Sequence, residues 1–329
     1  VHYFRNFIAA MQANGHQFLV FARDKEVTHD LLNRYGIPFL SRGKGGKGLF
    51  AKLLYLLKAD ALMYAKARRF SPDLFVSFAS PYAAQVSKLC RKPHLAVDDT
   101  EHATFEILLY KPFTDKILTP FCFLSDYGKK QERISAYAEF LYLHRNRFHP
   151  RPVDKELGLM PGEKFALLRF ISWTASHDLG QKGIPAAEKK ALIEELHHRG
   201  YKVFISAEGA LPADMEKFRL PLASNRIHDV LAAASLFVGE SGTMSTEACI
   251  LGTPAFFVNT LDAGVFRDEV NRGLLVHIRD GNSLCRQIFP VIDNPGFYEK
   301  FQEAVEALHR DSADFTDILE KQSLTFARR

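Results

Sequence analysis

The feature that most constrains this chain is an alternation of short apolar runs with amphipathic helical stretches, carried through twice. In the first half "QFLVFA", "IPFL", "DLFVSF", "HLAVDD" and "DKILT" are each followed by turn or helix residues, with helices expected over 27–35 and 49–69. In the second half "FALLRFI", "YKVFISA", "LFVG", "AFFVN" and "LLVHI" repeat the scheme, with helices expected over 185–199 and 227–234. Runs too short for helices, bounded by turn residues and separated by helical periodicity, pair as parallel strands joined by helical crossovers. The expected class is α/β, with helices on both faces of mostly parallel sheets.

The two alternations are separated by "FHPRPVDKELGLMPGEK", residues 148–164, where prolines and charges interrupt both periodicities and mark a linker. This divides the chain into two Rossmann-like domains, 1–148 and 149–329, facing across a cleft, with the last helix expected to pack back on the first. A length of 329 residues suits two cores better than one. The first alternation opens on the helix-like "VHYFRNFIAAMQA", whereas an open α/β sheet opens on a strand, so a leading strand and its loop are expected ahead of it. No apolar run reaches membrane-spanning length, and the four cysteines form no CxxC pair, which reads as reduced thiols of a cytosolic protein with no zinc site. The formal charge of +5 is dispersed, which suits phosphorylated small molecules or peripheral contact with an anionic membrane face and argues against nucleic acid.

In "LFVGESGTMSTEACILGTPAFFVNT", residues 236–260, a strand ends in Glu240-Ser241-Gly242-Thr243 and hands over to a helix closed by Gly252, with Pro254 just beyond. Unpaired amides at a helix start favour anions, by about 0.3–1 kcal/mol at exposed sites and about 2 when partly buried. Gly242 is expected to let a phosphate approach the backbone, Ser241 and Thr243 to offer hydroxyls, and Glu247 to accept from two vicinal sugar hydroxyls. The plainer alternative is that Ser241 or Thr243 only caps the helix.

Further candidates sit at other strand ends. "AVDDTEHA" gathers Asp98, Asp99, Glu101 and His102, a general-base cluster in which neighbouring charges spread the pKa values. The alternative is a helix cap at Asp99 or Thr100. "RFISWTASHDLG" offers Arg169 for a phosphate and His177 with Asp178 as an oriented imidazole; the alternative is an ordered loop with a stacked Trp173 and a cap at Asp178. Glu208 and Gly209 are expected to face the nucleotide, with Asn259 and Thr260 beside it, while 266–272 reads as an ordinary surface helix. Gly43, Gly45 and Gly48 spell G-x-G-x-x-G, but a lone match beside two lysines reads as a flexible loop, with Lys44 and Lys47 near an acceptor phosphate. The aromatic "PFCFLSDYG" reads as core packing before acceptor wall.

The spacing Ser-Gly-x-x-x-x-Glu-Ala-x-x-Leu-Gly-x-Pro resembles the nucleotide-diphosphate loop of UDP-N-acetylglucosamine 2-epimerases. More loosely it resembles that of the N-acetylglucosaminyltransferase making the lipid-linked peptidoglycan precursor; both belong to the GT-B superfamily. "VHYFRNFIAAMQANGHQFLVFARD", "DDTEHA", "FLYLHRNRFHP", "LLRFISWTASHDLG" and the 236–260 segment together resemble the predicted glycosyltransferases of domain-of-unknown-function family 354. These resemblances imply a transferase using a nucleoside-diphosphate sugar, a UDP-sugar favoured, as substrate rather than cofactor, and a glycan or lipid-linked acceptor; helix amides and Arg169 are expected to meet the departing diphosphate, so no metal is required. The resemblance to the epimerases, which carry a catalytic glutamate at a comparable place in the first domain and a functional histidine near the corresponding strand end of the second, puts Glu101 first and His102 second as base, with Asp99 and His177 as further catalytic candidates. A nucleotide-sugar 2-epimerase and a non-catalytic nucleotide-sugar binder are the alternatives.

Overall fold

The computed structural model describes residues 1–24, 27–45, 48–170, 183–207 and 209–328, with 49–53 described by backbone alone. Two compact units divide the chain: Val1–Phe148 with Ser312–Arg329, and His149–Asp311.

The first unit begins with α1 (His2–Ala13), β1 (Val20–Ala22), α2 (Thr28–Arg34), β2 (Phe39–Ser41), α3 (Leu49–Phe70) and β3 (Phe75–Phe78). It continues with α4 (Pro81–Leu89), β4 (His94–Val97), α5 (Thr104–Tyr110), β5 (Lys116–Pro120), β6 (Gln131–Ile134) and α6 (Phe140–Leu143). Its strands form two separate parallel sheets, β1-β2 and β3-β4-β5-β6. Strand β4 is apolar after His94 and buried on both faces, as a covered parallel strand must be. His94 survives there because Ser77 Oγ and Thr114 Oγ1 bond its two ring nitrogens, each at 2.9 Å. Burial holds the imidazole neutral, with its pKa lowered to about 3.

The second unit contains β7 (Phe165–Phe170), α7 (Ala186–His198), β8 (Lys202–Ala207), α8 (Ile227–Ala233), β9 (Leu236–Gly239) and α9 (Gly242–Leu251). It ends with β10 (Ala255–Val258), α10 (Gly264–Arg272), β11 (Leu275–Ile278), α11 (Leu284–Ile292) and α12 (Phe297–Asp311). Its five strands make one parallel sheet in the order β11-β10-β9-β7-β8. The chain runs outward from β7 to β8 and then resumes on the other side at β9, so β7 and β9 flank a topological switch point. In open α/β sheets the crevice at the carboxyl ends of such a pair is where ligands bind. The helix α13 (Phe315–Ala327) returns to the first unit, where Asp314 caps it and Arg147 bonds Asp314 Oδ2 at 2.8 Å.

One local expectation changes. Residues 149–164 are no free-standing linker: Val153, Leu157 and Leu159 are buried, and Arg151 donates to Asp229 of α8 at 2.8 Å. Helix α10 is a surface helix, with Arg267, Val270 and Asn271 exposed and Phe266 and Glu269 buried on its inner face. No described helix is long and apolar enough to cross a membrane.

Candidate functional site

The second unit builds a site where β9 meets α9. Ser241, in extended conformation, caps the helix, its Oγ accepting from Met244 N at 3.4 Å; Gly252, at φ 84°, ends it in the left-handed region that glycine tolerates. Ser241 and Gly242 are half-buried and Thr243 is exposed, so this first turn meets solvent. The amides of Gly242 and Thr243 have no hydrogen-bond partner among the described residues, and α9 spans ten residues, long enough to carry the dipole. Both readings of Ser241 therefore hold: it caps the helix and still leaves two amides open.

The reason for Gly242 differs from the expected one. A Cβ there would lie 2.4 Å from Cζ of Phe266, whose ring packs on Phe257 with centroids 4.7 Å apart. Glycine is needed at this position for α9 to seat on α10. Any approach by a ligand comes second.

The neighbouring polar residues mostly brace the turn. Glu240 is buried, its Oε1 accepting from Ile184 N at 2.6 Å, and its carbonyl accepts from Asn259 Nδ2 at 3.1 Å. Asn259 Oδ1 in turn accepts from Leu261 N at 2.9 Å. Glu247 is only 4% exposed and shares a 2.9 Å hydrogen bond with Nε2 of the buried His228 of α8. That histidine went unnoticed in the sequence, since nothing local ties it to a glutamate nineteen residues later.

Across the switch point, Arg169 of β7 stands opposite Gly239 of β9, and its Nη1 donates to Ser206 Oγ at 2.9 Å. A Cβ on Gly239 would come within 2.8 Å of Arg169 Cβ, so this glycine lets the arginine strand lie close. Gly209 is exposed beyond β8 and its carbonyl accepts from Arg219; Thr260 is exposed after β10. His177, Asp178, Trp173 and Glu208 lie outside the described residues.

The first unit carries the carboxylate cluster at the carboxyl end of β4. Asp98 is 1% exposed and is the hub: Tyr110 and Tyr127 both donate to its Oδ2, and Thr100 N donates to its Oδ1 at 2.9 Å. Burial, then the Asp98 charge, raises both tyrosine pKa values and keeps them protonated donors. Asp99 accepts from Tyr3 OH at 3.2 Å and from Thr100 Oγ1 at 2.8 Å. Loss of hydration pushes Asp99 up to about 6, with the Asp98 carboxylate adding to the rise and the bonds from Thr100 and Tyr3 opposing it.

Glu101 accepts from Leu124 N at 2.9 Å and so ties down the loop after β5, while His102 is exposed. The residue at the start of α5 is Ala103, without a side-chain cap, so neither Asp99 nor Thr100 caps that helix. From the aromatic stretch, Phe123 and Tyr127 are buried, which bears out core packing, and Tyr127 additionally reaches Asp98. Tyr3, Tyr110 and Tyr127 were missed because they reach the two aspartates from distant elements. Among the described residues no group of three or more His, Cys, Asp or Glu is placed to hold a metal ion.

A UDP-GlcNAc 2-epimerase from Neisseria meningitidis, solved with UDP-GlcNAc, superposes with a TM-score of 0.70 at 11% identity, covering 98% of this chain and 96% of that one. The glycosyltransferase SnogD from Streptomyces nogalater gives a TM-score of 0.65 at 12% identity, with coverage of 99% and 96%. MurG from Acinetobacter baumannii gives 0.61 at 14%, with coverage of 98% and 96%. The fold is GT-B-like. Residues 1–144 match the family described as "Protein of unknown function (DUF354)". No curated protein matches the sequence. In this GT-B-like chain the likeness establishes two Rossmann-like units of parallel strands; identities of 11–14% carry no residue roles.

Proposed function

We propose that this protein is a nucleotide-sugar-dependent glycosyltransferase acting on a cell-surface glycan or lipid-linked acceptor. The observation that carries the reading is the open first turn of α9, at the carboxyl end of β9 and beside the switch to β7. Two amides, the Thr243 hydroxyl and the nearby Arg169 offer a diphosphate the donors and positive potential it needs. The buried Glu247–His228 pair is assigned to fixing α9 in place; direct sugar contact is not required of it.

In this reading the first unit holds the acceptor, and Asp99 takes the proton from its hydroxyl. The oxygen then bonds to the anomeric carbon as the bond to the diphosphate breaks, and the nucleoside diphosphate leaves with that electron pair. Asp99 is preferred to Glu101 because its pKa of about 6 places a base near neutral pH, whereas Glu101 holds a backbone amide. The departing charge is met by fixed amides at the α9 start. This requires no metal ion.

The test is a thermal-shift panel of UDP, GDP, dTDP and CMP with their sugars, followed by turnover with the stabilising donor. Selective stabilisation by one nucleotide class, lost in Thr243→Glu, is expected. The added carboxylate suits the helix dipole and keeps the fold, but it repels a diphosphate. A panel with no stabilising nucleotide sugar overturns the reading. A new epimer formed without any acceptor moves the protein to the 2-epimerases, and binding without turnover makes it a non-catalytic binder.

A further inference from the structure

Helix α3 carries on its solvent side what a solvated helix ordinarily lacks. Leu54, Leu57, Ala61, Leu62 and Ala65 are all exposed, and four of them follow one another at the steps of three or four that keep to one side of a helix. The other exposed residues between 54 and 69 are Lys58, Lys66, Arg68 and Arg69. None is acidic, and none of the four cations makes an ion pair among the described residues. The one acid of the helix, Asp60, is half-buried. Helix α12 shows the usual arrangement: its exposed side mixes both signs through Glu299, Lys300, Glu303, Glu306 and Arg310 and carries no leucine.

The apolar outcrop continues onto the next two helices. Tyr55 of α3 meets Tyr82 of α4 edge-on with ring centroids 5.9 Å apart, and Gln85 of α4 donates to Leu109 O of α5 at 3.2 Å, so the three helices form one layer. On that layer Leu89, at the end of α4, is 60% exposed, and Phe105 and Leu108, one turn apart on α5, are 63% and 71% exposed. Single exposed leucines are normal, but a run of them across three packed helices marks a docking surface. Charge decides what it docks on. Asp73 and Asp115, which follow α3 and α5, are already paired with Lys92 at 3.5 Å and Lys88 at 2.8 Å. That leaves Glu106 as the one exposed acid on these helices, against the four cations of α3 and the exposed Arg91 just after α4.

We propose that the outer side of the layer made by α3, α4 and α5 docks on an anionic lipid surface, its leucines and Phe105 entering the headgroup boundary and its lysines and arginines meeting lipid phosphates. Helices that lie in a membrane interface combine these two residue classes, apolar side chains pressed inward and Lys or Arg beside them. The cationic stems are long enough for the charge to stay with the phosphates while the leucines sink. Nothing in this arrangement crosses the bilayer, and no described helix is built to do so. The inference goes beyond the transferase reading and does not depend on it, because docking needs no donor.

The test is co-sedimentation of the 329-residue chain, without nucleotide, with vesicles of phosphatidylcholine alone or mixed with phosphatidylglycerol. Binding is expected to the mixed vesicles only, falling steeply with added salt. Each lysine or arginine near such a surface strengthens binding about fivefold, so Lys58→Glu with Lys66→Glu should weaken it at least about 25-fold. Lys300→Glu with Arg310→Glu makes the same change of net charge on α12 and should weaken it less than about threefold. Leu57→Ser with Phe105→Ser should weaken it at least about tenfold. All these side chains are exposed, so Tm should stay within about 2 °C of wild type. Should a variant misfold, Leu57→Trp gives a second measurement, with fluorescence expected to shift to the blue on mixed vesicles and not on phosphatidylcholine. No sedimentation with mixed vesicles, or equal weakening by the α3 and α12 variants, overturns the proposal. So does a dimer that the α3 variants dissolve, found without vesicle binding, since a second copy of the chain would then cover this face. Vesicle binding by a chain that no nucleotide sugar stabilises upholds the docking surface and overturns only the transferase reading.

Discussion

The two units build their candidate sites differently. The second closes five parallel strands into one sheet, with β7 and β9 at its centre, and makes its candidate site mainly from backbone: two amides at the start of α9. The first splits its strands into two sheets and makes its candidate site from ionisable side chains, Asp98 and Asp99, held by three tyrosines and a threonine. A site of amides is set by the fold and barely titrates. A site of carboxylates is set by its hydrogen-bond partners and changes with pH. Donor binding is therefore expected to be insensitive to pH and only weakly sensitive to loss of a single hydroxyl, and turnover to be sensitive to pH and to its carboxylate.

The largest expected effect is at Asp99. Asp99→Asn should lower the turnover number divided by KM by about 10²–10⁴-fold, measured as acceptor-dependent release of nucleoside diphosphate, with donor affinity unchanged. The wild-type profile should lose activity below a midpoint near pH 6 as Asp99 is protonated, and residual activity in the variant should lack that limb. Because the folded-state pKa lies above the usual carboxylate value, wild-type stability should fall between about pH 4 and 6, a slope that Asp99→Asn removes. Loss of donor binding in this variant would break the comparison.

Glu269 probes the second unit. It is fully buried on α10 beside the Thr246 hydroxyl, and burial pushes its pKa up to about 8. The folded state holds a proton that the unfolded state releases near pH 4.5, so stability should decline from there up to pH 8 and be flat beyond. Glu269→Gln should remove that slope and add about 2–4 kcal/mol at pH 7 in urea titrations of the second unit. It should do so without moving the pH profile of turnover, and a displaced profile would show that the second unit supplies chemistry as well as binding.

Smaller effects sharpen the contrast. Gly242→Ala drives a methyl group into the Phe266 ring and should cost about 1–3 kcal/mol, read as a lower urea midpoint for the second unit alone. Ser241→Ala removes a single long cap and should cost about 1 kcal/mol, with donor affinity falling less than about tenfold. If Ser241→Ala instead abolished binding, the hydroxyl and not the amides would be making the site.

The alternation of elements was legible because each strand is a short apolar run stopped by turn residues, and the start of α9 because Ser241, Gly252 and Pro254 punctuate it locally. Asp99 was legible as a member of a charged cluster, but its rank within the cluster was not. That rank depends on the loss of hydration around Asp99 and on Tyr3 of α1, 96 residues away in the chain, neither of which local spacing reports. Gly242 shows the same limit: the residue was noticed for its smallness, and the reason lies in Phe266 on the following helix. Local spacing reports where backbone turns, whereas long-range packing decides which polar group is left to react.

The return of α13 to the first unit has a consequence for biosynthesis. Ala313 N bonds Ser135 O, Thr316 Oγ1 bonds Leu141 O, and Arg147 bonds Asp314, so the first unit includes residues translated after the whole of the second. The second unit is contiguous and can complete its fold as soon as Asp311 has left the ribosome tunnel. Of the two units, the one begun earlier is thus finished later, and a nascent chain stalled before Ser312 should already resist protease across the second unit while the first remains cleavable.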